Sequence, residues 1–287
     1  MSRHVRWPSR SNWPVVPLSD LQVEILRTLA SHRSPDSYVA GSTPLHRNGP
    51  RFSGDIDIFH GREEQVAQAA VKDSAALAAA EFAVAWIRQE PGLYAAAVTR
   101  RDESTRLEWV RDSDFRFYPA QPDPVFGYTL HLVDIATNKA LASAGRQAPR
   151  DALDLLFIHE RHLPLGAVIW AAVGKAPGYS PESLIAEIRR NARYRADEYE
   201  ALSMAAPIDA STIIRKLRAA LDEAETFVQT MPAGKEGLIF LKDGAPVQPD
   251  PAHLDNYEEL AGRRHDVWPG SSEIGSAMLE RYGKPST

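Results

Sequence analysis

The sequence predicts an α+β protein: a mixed sheet with flanking helices, followed by a mostly helical part. Three observations carry this. Asp55-Ile56-Asp57-Ile58-Phe59 alternates charge and bulk, which is the strand period and puts two carboxylates on one face and two isoleucines on the other. Leu93 to Thr99 and Thr105 to Arg111 read as two further strands joined by a charged turn at Arg100–Ser104. Beyond Pro164 the texture changes to long helical periods. We therefore divide the chain into residues 1–163 and a mostly helical part at 164–287 with a small hairpin, the break falling within 163–178. A length of 287 residues suits one large domain or two ordinary ones, either able to bury a full core.

Taken in order, the N-terminal residues 1–14 are basic, lack a following apolar run and read as a loose arm rather than a secretory signal. Ser19 to His32 has Leu21, Ile25, Leu26 and Leu29 at helical spacing. Ser37 to Ala40 is a short apolar run entering Gly41-Ser42 and a polar loop to Gly54. Glu63 to Gln89 is rich in Ala, Val, Leu and Glu and reads as one helix stopped by Pro91-Gly92. Short strands are expected at Asp114–Tyr118 and Tyr128–Leu132. A helix then runs from Asp134 to Ala144 with Gly145 as its stop, and Pro149 opens the helix Arg150–His162. Ser180-Pro181-Glu182 is a cap and first turn for a helix to about Met204. Asp209 caps Ala210–Thr230, and Gly237–Leu241 with Asp243-Gly244 forms the hairpin.

Composition narrows the chemistry. The chain has 33 Lys+Arg against 38 Asp+Glu, a net charge of −5, so a wholly basic nucleic-acid-coating protein is excluded while local basic patches are not. There is no cysteine, which removes thiol catalysis and thiolate metal sites and fits a cytoplasmic setting. No apolar run approaches the roughly 20 residues that span a bilayer, so no membrane partner is expected.

Four features of the first part belong together. Gly41-Ser42 precedes a loop ending in Asp55-Ile56-Asp57, and Glu108 lies inside a strand. Lys139 and Arg146 are seven residues apart, and Asp151 and Asp154 share the next helix. Two neighbouring carboxylates repel unless a cation sits between them, and a hard divalent cation such as Mg²⁺ or Mn²⁺ takes one or two carboxylates plus phosphate oxygens and water. Glu108 can supply a third oxygen, with Glu103, Asp112 and Asp114 as rivals. Backbone N–H groups at the Gly41-Ser42 corner can reach a phosphate. Lys139 and Arg146, on one helical face if the helix passes Gly145, offer positive charge to a triphosphate. These are the parts of nucleotidyl transfer. Singly, each is also the pattern of a solvated strand face, a turn or a charged helix surface. Asp151 suits a helix N-terminus, and Asp154 can pair with Arg150.

The run Gly41-Ser42-x-x-Leu45…Arg51-Phe52-Ser53-Gly54-Asp55-Ile56-Asp57-Ile58-Phe59 resembles the first motif of the abortive-infection nucleotidyltransferase toxins, the AbiEii/AbiGii family, within the DNA-polymerase-β-like superfamily. Asn138-Lys139-Ala140-Leu141…Arg146…Arg150-Asp151-x-x-Asp154-Leu155 resembles that family's later motifs, and the likeness spans about residues 20–160. It implies a minimal nucleotidyltransferase sheet at 1–163, with Gly41 and Ser42 holding the triphosphate of an NTP and Arg51 and Ser53 positioning nucleotide. Asp55, Asp57 and Glu108 would bind metal, and Lys139 would contact phosphates. Asp151 or Asp154 would complete the pocket, as the group that activates or orients an acceptor hydroxyl. The implied acceptor is RNA, a tRNA end being the leading candidate, with a toxin or phage-defence role and an antitoxin partner. A small-molecule or protein acceptor and a catalytically degenerate binding module are the rival readings.

Outside these motifs, Arg189, Arg190, Arg193 and Arg195 form one basic cluster and Arg215, Lys216 and Arg218 another. They suit RNA phosphates or, equally, helix faces whose arginines pair with Glu187, Asp197 or Glu200. His159-Glu160-Arg161-His162 lacks the four-residue histidine spacing of zinc proteases, and no Walker loop, dinucleotide glycine motif or nucleophile elbow is present.

Overall fold

The structure is a computed structural model that describes residues 18–47, 49–113 and 115–264. The expected basic arm and Asp114 lie outside the described residues. Ser19 accepts a hydrogen bond from the Gln22 N–H while the Gln22 side chain accepts from the Ser19 N–H, a capping box that starts α1 (Asp20–Leu29). A 3₁₀ turn at Ala30–His32 leads to β1 (Ser37–Ala40), α2 (Ser42–Leu45), β2 (Asp55–His60) and α3 (Glu63–Ala79). Then come β3 (Ala83–Glu90), β4 (Leu93–Arg100), β5 (Glu103–Arg111), β6 (Phe115–Arg116), β7 (Gln121–Asp123) and β8 (Gly127–Thr129). Helices α4 (Leu132–Gly145), α5 (Pro149–Arg161), α6 (Leu165–Ala172), α7 (Pro181–Asn191), α8 (Ala196–Glu200) and α9 (Ala210–Thr230) follow. The described chain closes with β9 (Leu238–Lys242), β10 (Ala245–Val247), β11 (Glu258–Ala261) and β12 (Arg263–Arg264).

The architecture is the α+β arrangement expected: a seven-stranded mixed sheet in the order β3-β4-β5-β2-β1-β8-β7, flanked by helices. Strand β2 runs antiparallel to β1 and parallel to β5. One sheet face buries Ile56, Ile58, Leu107 and Trp109 against α1 and α3. The other face turns toward α4 and α5. These two helices share one apolar cluster with α6, α7 and α9, so packing is continuous across residue 163. Among the described residues no helix is long and apolar enough to cross a membrane.

Three elements differ from the sequence reading. The helix expected over Glu63–Gln89 ends at Ala79, Glu81 turns the chain with φ +64, and Ala83–Glu90 is strand β3. No Gly or Pro marks that turn, and an edge strand exposed on both faces carries no clear apolar period. The helix opened by Ser180 stops at Asn191, whose amide donates to the Ala144 carbonyl at 2.7 Å, and the short α8 follows. Helix α6 is buried on every side, so it has no polar face to reveal its period.

Local charge also builds the fold. Asp73 on α3 is fully buried and accepts from Arg33 at 2.7 and 2.5 Å and from the Trp109 indole N–H at 2.7 Å, with His32 Nδ1 also at 2.7 Å. This ties the 3₁₀ turn, α3 and β5 together. Because the Arg33 side chain is 1% exposed, Asp73→Ala strands a buried cation. We expect it to cost about 3–5 kcal/mol in denaturant unfolding, whereas Arg88→Ala, which breaks the exposed Arg88–Glu90 pair, leaves the unfolding midpoint unchanged.

Candidate active site

Strand alternation sends Asp55, Asp57 and Phe59 to the cleft side of β2. The parallel ladder sets Asp57 directly beside Glu108 of β5, and the antiparallel one sets it beside Ala40 of β1. Gly41, at the end of β1, has φ +74, and a Cβ there would lie 2.2 Å from Asp57 Oδ2. Only glycine therefore serves at this corner. The loop that follows is tied to β2 by hydroxyls. Thr43 Oγ1 donates to the Asp55 carbonyl at 2.7 Å, Ser53 Oγ donates to the same oxygen at 2.8 Å, and the Ser42 and Ser53 hydroxyls are 3.1 Å apart.

Helices α4 and α5 form the facing wall. The side chain of Lys139 reaches Asp154 Oδ2 at 2.7 Å. Asp154 is fully buried and also receives the Arg51 guanidinium at 3.0 and 3.1 Å and His46 Nε2 at 2.6 Å. These partners hold its carboxyl well below the usual carboxylate range despite burial, Lys139 acting most strongly. Burial meanwhile lowers the His46 pKa against the pull of Asp154, so a neutral ring donates its Nε2–H to that carboxylate. Asp151, also fully buried, accepts a two-point fork from Arg146 at 2.6 and 3.0 Å. Arg146 follows the end of α4 with extended backbone (φ −151°). It reaches the cleft through this fork and not by continuing the helical face of Lys139.

The two walls enclose a cleft of about 840 Å³. Gly41, Ser42, Asp55, Asp57, Glu108, Lys139 and Arg146 all line it. Arg51, Ser53, Asp151 and Asp154 do not. Arg51, Asp151 and Asp154 are buried behind it, and Ser53 shapes the loop. In this structure the side chains of Arg51, Asp151 and Asp154 are engaged behind the cleft and the Ser53 hydroxyl with Asp55, so none of the four stands at the cleft surface beside Asp55, Asp57 and Glu108. Among the rivals of Glu108, Asp112 lines the cleft and accepts from the Tyr38 hydroxyl, while Glu103 is exposed at the far end of β5.

Residues missed in the sequence also converge here. Arg106 pairs with Glu108 at 2.5 Å, and Arg150 lies 3.7 Å from Asp55 Oδ2. Arg106 was legible, because it stands two residues before Glu108 and so shares its face. For His46 no sequence signal exists. Burial, then Asp55 and Glu108, push the Asp57 carboxyl up to about 7, against the opposing pull of Lys139 and Arg150. Among the described residues no three carboxylate or imidazole groups form a ready-made metal cage.

No protein-family model matches the chain, and no curated protein matches it in sequence. Among solved structures it is similar to MenT4, a nucleotidyltransferase toxin from Mycobacterium tuberculosis H37Rv, at 16% identity and a TM-score of 0.48, over 74% of this chain and 83% of that one. It is also similar to a cytoplasmic RNA terminal U-transferase at 11% identity and a TM-score of 0.26, over 76% of this chain and 92% of that one. A third similarity is to the Cid1 poly(U) polymerase, at 12% identity and a TM-score of 0.28, over 70% and 68% of the two chains. At these scores the reading of the site rests on its own geometry.

Two outcomes are expected of that geometry. Asp57 holds its proton more tightly in the folded state, at about 7 against an ordinary 3.8. Below the lower value it is protonated in both states. As pH rises from there through about 7 the folded state loses stability relative to Asp57→Asn, and above that the difference is constant. Urea unfolding at stepped pH without divalent cations measures it. Gly41→Ala strains a left-handed position and drives a methyl into Asp57. A loss of about 1–3 kcal/mol in unfolding free energy is expected from the backbone alone.

Proposed function

We propose that the protein is a metal-dependent nucleotidyltransferase that moves a nucleoside monophosphate from an NTP to a hydroxyl. The observation that carries this is the register: Asp57 beside Glu108 with Asp55 on the same face, opposite a wall bearing Lys139, Arg146 and Arg150. Three carboxylates on the sheet side, with Arg106 paired to one of them, and three cations on the facing wall suit a triphosphate that must be gripped at its tail and attacked at its α-phosphorus.

The donor set fits Mg²⁺ or Mn²⁺. Asp55, Asp57 and Glu108 would hold it: burial first, and then repulsion from Asp55 and Glu108, raises the Asp57 pKa, and a cation would relieve the repulsive part. Mg²⁺ takes only one or two carboxylates and fills the rest of its shell with water and phosphate oxygens, so these three side chains would suffice. When bound, such an ion supplies Lewis-acid polarisation of the α-phosphate and of the attacking oxygen.

The chain's own groups do the rest. The Gly41-Ser42 corner, with no side chain at its first position, lets phosphate approach the backbone. Lys139, Arg146 and Arg150 attract the β- and γ-phosphates and the pyrophosphate they become. The acceptor oxygen bonds to the α-phosphorus, the bond to the bridging oxygen breaks, and the acceptor's proton passes to the carboxylate face. Asp154 and Asp151 act as positioning residues that aim Lys139 and Arg146.

For the acceptor we propose RNA, with a tRNA end as the first candidate, in a toxin or phage-defence role of the AbiEii/AbiGii type with an antitoxin. This rests on the motif resemblance. A second reading, a small-molecule or protein acceptor, is favoured by the second part's basic clusters. Arg189 pairs with Asp222 and Glu225, Arg190 with Glu187, Arg195 with Asp197, and Lys216 with Glu160. These pairs occupy three of the four arginines of the first cluster and Lys216 of the second, reducing the charge left for RNA phosphates.

Label transfer tests both. Purified protein, Mg²⁺, each α-labelled NTP and total tRNA are incubated beside Asp55→Ala/Asp57→Ala. Label is expected in RNA with the wild type and only background with the variant. Label on protein or a small hydroxyl compound instead would overturn the RNA acceptor and keep the transferase. No transfer to any acceptor, with no binding of Mg²⁺–NTP, would overturn the function in favour of a degenerate binding module.

A further inference from the structure

Asn138 stands on α4 one residue before Lys139 and lines the cleft between Ile135 and Ala142, which are one helical turn away on either side. Phe59 and Val110 line the same cleft from the sheet. This apolar lining suits a planar base better than a phosphate, and Asn138 brings to it an uncharged amide. The amide is not free to turn. Lys175, in the turn after α6, donates from Nζ to Asn138 Oδ1 at 2.9 Å. The Lys175 side chain is itself 2% exposed and pairs with the fully buried Asp134 at 2.9 Å. Asp134 is held in turn by the backbone N–H groups of Phe117 and Tyr118 at 3.0 and 3.1 Å.

An ammonium carries donors and no acceptor, so the Asn138 atom that faces it must be the oxygen. What the amide leaves for a ligand is its NH₂. We infer that Asn138 reads the base of the bound NTP with donors only, and that Lys175 is the positioning residue that enforces this. The inference rests on the nucleotidyltransferase reading of the cleft. Adenine is best read by an asparagine through both amide atoms, with the carbonyl accepting from the adenine amino group. Here that carbonyl is engaged, and the adjacent positive charge repels an incoming N–H. An NH₂ can still donate to a ring nitrogen of adenine, recessed in the ring edge, but uracil, cytosine and guanine each project a carbonyl oxygen beyond that edge for it. The cleft therefore discriminates against ATP and favours carbonyl-bearing bases.

The test is equilibrium binding of ATP, GTP, CTP and UTP to the full chain in MgCl₂ by calorimetry, with tripolyphosphate as a base-free probe. The wild type is expected to bind ATP most weakly. Asn138→Ala should weaken the preferred NTP by about three- to tenfold, the worth of one hydrogen bond, and leave tripolyphosphate unchanged. Lys175→Met frees the amide and should raise ATP relative to the others. Asp134 keeps two backbone donors in that variant. Should it nonetheless fail to fold, Asn138→Asp, which replaces the donors with a carboxylate, must lose the preferred NTP more strongly than Asn138→Ala. Equal binding of all four NTPs, or a ranking that Asn138→Ala does not alter, overturns the inference while the nucleotide-binding reading stands. Failure of every NTP and of tripolyphosphate to bind overturns both.

Discussion

The site depends on the pairing of β2 with β5 in parallel register. That ladder sets Asp57 opposite Glu108, and the two-residue period of β2 adds Asp55 to the same face. A slip of one residue would turn Ile56 and Ile58 to the cleft and bury the carboxylates against α1 and α3. The apolar core therefore enforces the register that crowds the anions. Burying Ile56, Ile58, Leu107 and Trp109 is what makes the electrostatic strain on Asp57 unavoidable.

The opposing wall has its own hub. Asp154 gathers Lys139 from α4, Arg51 from the loop before β2 and His46 from the end of α2. Breaking such a buried cluster from one side leaves uncompensated charge, so its members stand or fall together. The hub also joins the anionic wall to the cationic one, because the loop it anchors runs between the Gly41 corner and Asp55. Its geometry holds Lys139 at the cleft edge with 9% of its side chain exposed, enough to meet a phosphate without roaming.

Where local chemistry was strong, the sequence was legible. The Ser180-Pro181 and Asp209 caps, the Pro149 start and the Asp243-Gly244 turn all lie where their residue types require. The alternation through Asp57 located the anionic face, and the strand at Glu108 completed it. Illegible features have physical reasons. The edge strand β3 is exposed on both faces and α6 is buried on all of them, so neither shows a period. The roles of Asp151 and Asp154 depended on which side of α5 faces the cleft, a matter of tertiary packing. Asn138 and Lys175 are far apart in sequence, and no spacing rule links them.

The cleft also has to exist before any ligand arrives. Three carboxylates on one sheet face would oppose folding, and here Arg106 on Glu108 and Arg150 beside Asp55 offset part of that repulsion. Both guanidiniums belong to side chains 47% and 43% exposed, so water screens these pairs and holds them weakly. Weak pairing is what a binding site needs at this point. The arginines steady the anions in the free protein, yet releasing them costs little when phosphate oxygens compete for the same donors. By contrast, the pairs at Asp154, where His46, Arg51 and Lys139 are themselves no more than 9% exposed, have no such freedom, whereas Arg146, half-exposed on its fork to Asp151, can yield as Arg106 and Arg150 do. Exposure thus divides the charged residues into those that yield to a ligand and those that hold the walls for it.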